Sequence, residues 1–264
     1  MRGTFHPTTA ANRGQAREPL EAVAAYDRIA AEYRELSRKR RAYLDAVDAA
    51  ILRRVPSGAT SLLDIGAGDG RRALRITERA GISRVVLAEP SAGMRGLIPP
   101  GVEVWDARME ALPESVVKFD VVLCLWNVVG HVPSRELRVA GLQNLRRVCS
   151  GLIFLDVLHR YNVAECGGGV VLRRLFSSES GDVLVRWETP EGDVETWGHV
   201  FSAGEIEGMI REAGLTVVER VILNYRTGRR SGWVGGGNLF YVLRSIENSA
   251  RVSRTNRCGR QSTS

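Results

Sequence analysis

Three glycines at alternate positions, Gly66, Gly68 and Gly70, follow the run Ser61-Leu62-Leu63-Asp64-Ile65. An apolar strand that ends in a turn without side chains lets backbone N–H groups approach a ligand closely. A helix opening at such a turn adds the positive end of its dipole, which suits a phosphate or a carboxylate. Acids recur where later strands should end, Glu89 after residues 84–88 and Asp106 after residues 102–105. A carboxylate at the first of these ends, Glu89, can accept both hydroxyls of a ribose. The glycines and Glu89 together describe a cradle for a nucleoside that carries an anionic end.

Spacing narrows the nucleoside. The dinucleotide fingerprint is G-x-G-x-x-G with an acid about 20 positions on. Here the pattern is G-x-G-x-G, and Asp64 stands two positions before the first glycine. Glu89 would also serve an NAD-linked oxidoreductase, which stays as an alternative. The shortened turn and Asp64 favour a different cofactor.

Four stretches together resemble the class I S-adenosylmethionine-dependent methyltransferases. They are Leu63 to Gly70, then Glu89-Pro90-Ser91-Ala92-Gly93-Met94, then Asp106 to Pro113, and finally Phe119-Asp120-Val121-Val122-Leu123-Cys124. The resemblance spans about residues 20 to 245 and implies S-adenosyl-L-methionine as the cofactor. It implies that Asp64 supports the glycine turn or meets the cofactor's amino group, while Gly66, Ala67 and Gly68 admit its backbone. Glu89, beside Pro90, would hold the ribose, and Met94 would pack on the adenine. Asp106 would accept from the adenine amine, with the N–H groups of Ala107 or Arg108 nearby. Leu125 and Trp126 would lie beside the reacting end. The run Tyr26 to Tyr33 resembles the family's opening, whose tyrosines lid the cofactor.

Methyl transfer from a sulfonium asks little of side chains, because the methyl group is already activated. Alignment for an in-line displacement can contribute roughly 7–11 kcal/mol. A general base helps only where the acceptor must lose a proton, and His131 and His159, each just past an expected strand, are the candidates. After the fourth strand the sequence reads Leu125-Trp126-Asn127-Val128, not Asn-Pro-Pro-Tyr, and no Pro-Cys pair occurs. These absences count against base-nitrogen, glutamine-amide and cytosine-ring methylation. A small-molecule oxygen or nitrogen is the favoured acceptor. An RNA or protein acceptor would instead require Arg38 to Arg41, Arg146-Arg147 and Arg173-Arg174 to converge on the pocket mouth.

The elements that must position these residues alternate. Strands are expected at 60–65, 84–89, 102–106, 119–125 and 151–156, with helices near 71–80, 91–98 and 134–149, after two helices within 20–54. Such alternation predicts right-handed crossovers and a parallel, doubly wound α/β sheet whose carboxyl ends hold the ligand. A helix capped by Ser202 and Glu205 and strands at 215–222 and 239–244 would bring the sheet to seven strands, the last antiparallel. Between them, 170–177, 183–189 and 194–201 read as β segments joined by hairpin turns. The expected organisation is a tail at 1–18, a methyltransferase domain at 19–245 with a β insert at 157–200 on the substrate side, and a basic tail at 246–264.

Composition fits an enzyme with a sizeable core. The 264 residues are 44% hydrophobic and 25% charged, and the net charge of +7 resides largely in the two tails. Only Lys39 and Lys118 are lysines among 37 basic residues. This skew speaks for coding bias more than for nucleic-acid binding. Cys124, Cys149, Cys166 and Cys258 share no metal-binding spacing, so no metal is expected. No apolar run reaches the roughly 20 residues of a membrane span. The N-terminus lacks a secretory signal's apolar core. A cytoplasmic enzyme is expected, and the sequence does not specify its oligomeric state.

Overall fold

Strands β1 (Ser61–Ile65), β2 (Arg84–Ala88), β3 (Glu103–Trp105), β4 (Phe119–Cys124) and β5 (Cys149–Val157) pair in parallel in the order β3-β2-β1-β4-β5. Every residue of β1 is buried, Ser61 and Asp64 included, as a strand covered on both faces requires. Two hairpin strands, β6 (Asp182–Thr189) and β7 (Gly192–His199), form a separate ribbon, while β8 (Leu215–Leu223) and β9 (Asn238–Ser245) complete the large sheet. There β9 runs antiparallel to both β5 and β8. The result is the expected seven-stranded α/β sheet with its antiparallel final strand. The computed structural model describes residues 18–114, 117–176 and 181–246. Glu18 and Ile246 apart, the two tails lie outside the described residues, as does Cys258.

The helices are α1 (Ala22–Ile29), α2 (Tyr33–Arg38), α3 (Arg41–Leu52), α4 (Arg71–Ala80), α5 (Ala92–Arg95), α6 (Arg135–Val148), α7 (Val163–Cys166), α8 (Gly168–Phe176) and α9 (Ala203–Glu212). One face of the sheet packs against Val139, Leu142 and Leu145 of α6 and Ile206, Met209 and Ile210 of α9. The other packs against Tyr43, Val47 and Ile51 of α3 and Ala73 and Ile76 of α4. The sheet is therefore doubly wound. Ser202 and Glu205 form the expected capping box on α9. Among the described residues no helix is long and apolar enough to cross a membrane.

Two expectations need correction. Residues 20–54 hold three helices, because a turn at residues 30–32 redirects the chain and lays Tyr33 over the glycine turn. Residues 170–177, expected as a strand, belong largely to helix α8. Val171 and Arg174, three apart, are both buried, while Leu172 and Leu175 face outward. That is the helical period, and Arg173-Arg174 had already broken the alternation a strand needs. Among its described residues the insert holds two short helices and one hairpin, turning at Pro190-Glu191 between the paired Thr189 and Gly192, while residues 177–180 lie outside them.

The hairpin is tied down at both ends. The N–H of Leu20 donates to the Glu195 carbonyl, and Thr196 Oγ1 donates to the Leu20 carbonyl. At the base, His199 places Nδ1 2.7 Å from Asp182 and Nε2 2.7 Å from Glu205, clamping the ribbon to α9. These contacts hold β7 against α1, which forms one wall of the site.

Candidate active site

Gly66, Gly68 and Gly70 all adopt positive φ, at 66°, 58° and 71°, which side chains would disfavour. Space is also closed to a Cβ. One at Gly66 would stand 2.4 Å from Val128 Cγ2, and one at Gly68 would stand 3.1 Å from the Tyr33 hydroxyl. Gly70 caps α4 without a side chain, and the first bond within the helix is Leu74 N–H to the Gly70 carbonyl. Within that first turn, Arg71 N–H donates to Asp69 Oδ1 at 3.4 Å.

Glu89 locks this turn to the second strand end. It is 6% exposed, and its carboxylate accepts from Gly68 N–H at 2.7 Å and from Ser91 N–H at 2.8 Å. Burial pushes its pKa up, while those two hydrogen bonds oppose the rise. Each oxygen retains a lone pair for a hydroxyl. Glu89 and Pro90 border a cavity of about 650 Å³, counting its open mouth, together with Gly66, Gly68, Ala107 and Arg108. The remaining wall is Ala22, Val23, Tyr26, Tyr33, Met109, Glu110, Val128, His131 and Val132. One side of the cavity is polar backbone and carboxylate, and the other is aromatic and aliphatic.

Beneath the glycine turn lies a buried charge cluster. Asp64 (β1), Asp48 (α3) and Asp156 (β5) are all buried and act electrostatically on Arg72 of α4. Arg72 Nε donates to Asp48 at 2.5 Å, and Arg75 holds the other Asp48 oxygen at 2.7 Å. Asp156 accepts from the Tyr43 hydroxyl and from Trp126 N–H. Burial pushes the Asp64 carboxyl up to about 7, with Arg72 opposing. An unfolded Asp titrates near 3.9. Between these values the folded protein holds a proton that the unfolded chain has lost, so Asp64 makes stability fall as pH rises from about 4 to 7. Asp64→Asn is expected to raise the melting temperature of the ligand-free protein at pH 8 by roughly 5–10 °C while weakening cofactor binding. Differential scanning fluorimetry at pH 5 and pH 8 checks it, and an unchanged difference between the two pH values refutes it.

Of the two candidate bases, only His131 reaches the cavity. Its Nε2 is 3.2 Å from the Tyr26 hydroxyl, and the two rings meet edge to face at 5.4 Å. Burial pushes the imidazole down to about 4, against the nearby Trp197 backbone. It is therefore neutral at physiological pH and able to accept a proton. His159 is 2% exposed, bridges to Phe201, and does not border the cavity. It sits one strand further along, where the antiparallel β9 covers the end of β5, so it cannot serve as a base from this position.

Several residues named for the cofactor sit elsewhere. Met94 is fully buried against Ala25, Ile29, Ala30 and Val194, because α5 is a single short turn that faces α1. The Asp106 side chain is 67% exposed and paired with Arg95 at 2.8 Å, since β3 ends at the sheet's outer edge. Ala67 packs into the core below the turn, as does Leu125. Trp126 has a positive φ of 56° and donates to the Tyr225 hydroxyl, with its ring 5.9 Å from that of Tyr33. Sequence reasoning passed over Val128, Val132, Met109 and Glu110 of the cavity wall, whose residue types carry no signal. Asp156 was also passed over, although an acid at the end of a fifth apolar strand repeats the pattern of Asp64.

A doubly wound sheet with this glycine turn and strand-end acid defines a nucleoside-binding α/β protein. Comparison with known proteins makes it definite: residues 26–220 match the methyltransferase-domain family, and the chain belongs to that family. Its fold is similar to that of the CcbJ methyltransferase from Streptomyces caelestis, at 18% identity, covering 76% of this chain and 89% of that one with a TM-score of 0.57. CalS10 from Micromonospora echinaspora, an amino pentose methyltransferase with S-adenosylmethionine bound, is 19% identical over 81% of this chain and 96% of its own, with a TM-score of 0.53. A possible histamine N-methyltransferase from Thermotoga maritima is 18% identical over 84% and 98%, with a TM-score of 0.59. A curated relative, imidazole glycerol phosphate synthase subunit HisH from Corynebacterium glutamicum, is 32% identical over 112 residues. That match spans 41% of this chain and only 46% of the relative. Residues 26–220 thus form a methyltransferase domain, and S-adenosylmethionine fits its site as cofactor. Glu89 with the glycine turn suits the nucleoside, and Tyr26 and Tyr33 suit a cationic sulfonium.

Proposed function

We propose that the protein transfers the methyl group of S-adenosylmethionine to an oxygen or nitrogen of a small molecule. The observation that carries this reading is the Tyr26–His131 pair, 3.2 Å apart, on the wall of the cavity that the glycine turn and Glu89 open into. The bound cofactor supplies an activated methyl group. Glu89 and the Gly66–Gly70 turn hold and orient its nucleoside, α1 and the 157–200 insert exclude water, and the Tyr26 hydroxyl stands between the acceptor's proton and His131 Nε2. A neutral imidazole accepting from Tyr26 takes up that proton as the acceptor attacks.

The mostly apolar wall supports a small acceptor, and so does the scatter of arginine. Arg38 pairs with Glu35, Arg40 with Glu165 and Arg41 with Asp45. Arg147 donates to the Leu112 and Pro113 carbonyls, and Arg174 to the Arg160 carbonyl. Among the described residues, the arginine on the cavity wall is Arg108, which pairs with Glu21. An RNA or protein surface would ask these cations to converge and stay open. Residues 19–245 act as one methyltransferase unit in this reading, with the insert on the acceptor side, and its setting is cytoplasmic.

The test is a screen of hydroxylated and amino-bearing small molecules with radiolabelled cofactor, run beside bulk RNA and bulk protein. Label is expected only in small molecules, and label in RNA or protein instead would overturn the assignment. Heat on titration with NAD but none with S-adenosylmethionine would favour the oxidoreductase alternative.

A further inference from the structure

Only one ring nitrogen of His131 has a partner. Its Nε2 meets the Tyr26 hydroxyl at 3.2 Å, while its Nδ1 is buried with no hydrogen bond closed onto it among the described residues. The distance to Tyr26 does not say which of the two atoms carries the proton. An imidazole that takes a proton from Tyr26 must keep Nε2 bare and carry its hydrogen on Nδ1. The tautomer is set by the hydrogen bond of the other nitrogen. What faces Nδ1 therefore decides whether this histidine can be a base.

The hairpin supplies that group. Along an antiparallel strand, successive residues turn their N–H and C=O groups alternately toward the partner strand and away from it. The Glu195 carbonyl faces away from β6 and accepts from Leu20 N–H at 2.8 Å. The His199 carbonyl also faces away and accepts from Asn127 Nδ2 at 3.1 Å. Trp197 lies midway between the two, so its carbonyl points to the same side, toward the segment that carries His131. The strand is close there: a Cβ on Gly198 would stand 3.7 Å from His131 Cε1 and 3.9 Å from Nδ1. The Trp197 backbone favours the protonated imidazole, as a carbonyl facing a ring nitrogen does. Its indole is exposed, so what Trp197 offers the site is its main chain.

We propose that His131 Nδ1–H closes onto the Trp197 carbonyl, so that the hairpin insert fixes the tautomer in which Nε2 is free to receive the Tyr26 proton. This rests on the reading of His131 as base. Trp197 is a positioning residue acting through its backbone, and the insert does more than wall the cavity.

The test is nitrogen-15 NMR of the full chain labelled in its histidine rings, with the His131 signals assigned by their loss in His131→Gln. Spectra are taken at pH 6–8, where an imidazole pushed down to about 4 is neutral. The Nδ1–H form is expected to outnumber the Nε2–H form by roughly 10-fold or more, because the other tautomer leaves a buried carbonyl unpaired. Tyr26→Phe keeps an aromatic ring beside His131 and removes the hydroxyl. The Nδ1–H form is expected to persist in it, since its cause lies in the hairpin. A wild-type ring protonated on Nε2 would overturn the proposal, and so would a ring that switches to Nε2–H in Tyr26→Phe. Should Tyr26→Phe not fold, the wild-type spectrum still decides. The spectrum needs no turnover, so a wrong tautomer and a failed base reading, seen as kcat unchanged in His131→Ala, are separate results.

Discussion

Glu89→Ala is expected to weaken S-adenosylmethionine binding by at least roughly 100-fold, measured by calorimetry. The carboxylate does two jobs at once. It fixes the turn by accepting from Gly68 and Ser91 N–H groups, and in the proposed reading its remaining lone pairs receive the ribose hydroxyls. Each hydrogen bond to a charged group is worth about 1.5–3 kcal/mol, so losing two ribose contacts costs roughly 3–6 kcal/mol, and every 1.4 kcal/mol is tenfold. The vacated Gly68 and Ser91 donors add to the cost by letting the turn relax. Glu89→Gln should fall between, because an amide can accept from one N–H but turns its NH2 toward the other. An affinity within threefold of wild type, with melting behaviour intact, would show that the ribose is held elsewhere.

How far the sequence foretold this site depended on whether a residue's role was local. The glycine turn, β1 and Glu89 were legible because their signals lie within a few residues: a buried apolar run, three small residues, then an acid at the next strand end. The parallel pairing of the strands followed from their alternation with helices. Met94 and Asp106 misled because their place depends on how far short elements reach. α5 is too short to carry Met94 to the cavity, and β3 at the outer edge leaves Asp106 beside Arg95. The helix at 168–176 was missed because Val170-Val171-Leu172 carries a strand's composition, and packing of Val171 and Arg174 on one side decides otherwise. Arg72 and Asp156 needed the third dimension. They come within electrostatic reach because α4 begins, and β5 ends, at the same side of the sheet.

His131→Ala is expected to lower kcat roughly 100-fold, the lower end of general-base contributions, while KM for the acceptor changes less than about threefold. The low end follows from the same burial that keeps the imidazole neutral. An imidazole pushed down to about 4 is always ready to accept a proton near neutrality, but it holds the proton weakly, so its driving force is small. The sign for pH is then fixed. Activity carried by this base is lost as pH falls through about 4 and is flat from about pH 5.5 upward, until the acceptor or Tyr26 intervenes. Burial raises the Tyr26 pKa, so its hydroxyl stays protonated through that plateau and can relay. Tyr26→Phe should therefore produce a similar fall in kcat, and the double variant should be little worse than either single one, as expected of two groups acting as one unit. Losses that multiply in the double variant would mean that Tyr26 only lids the cavity and His131 acts on the acceptor alone.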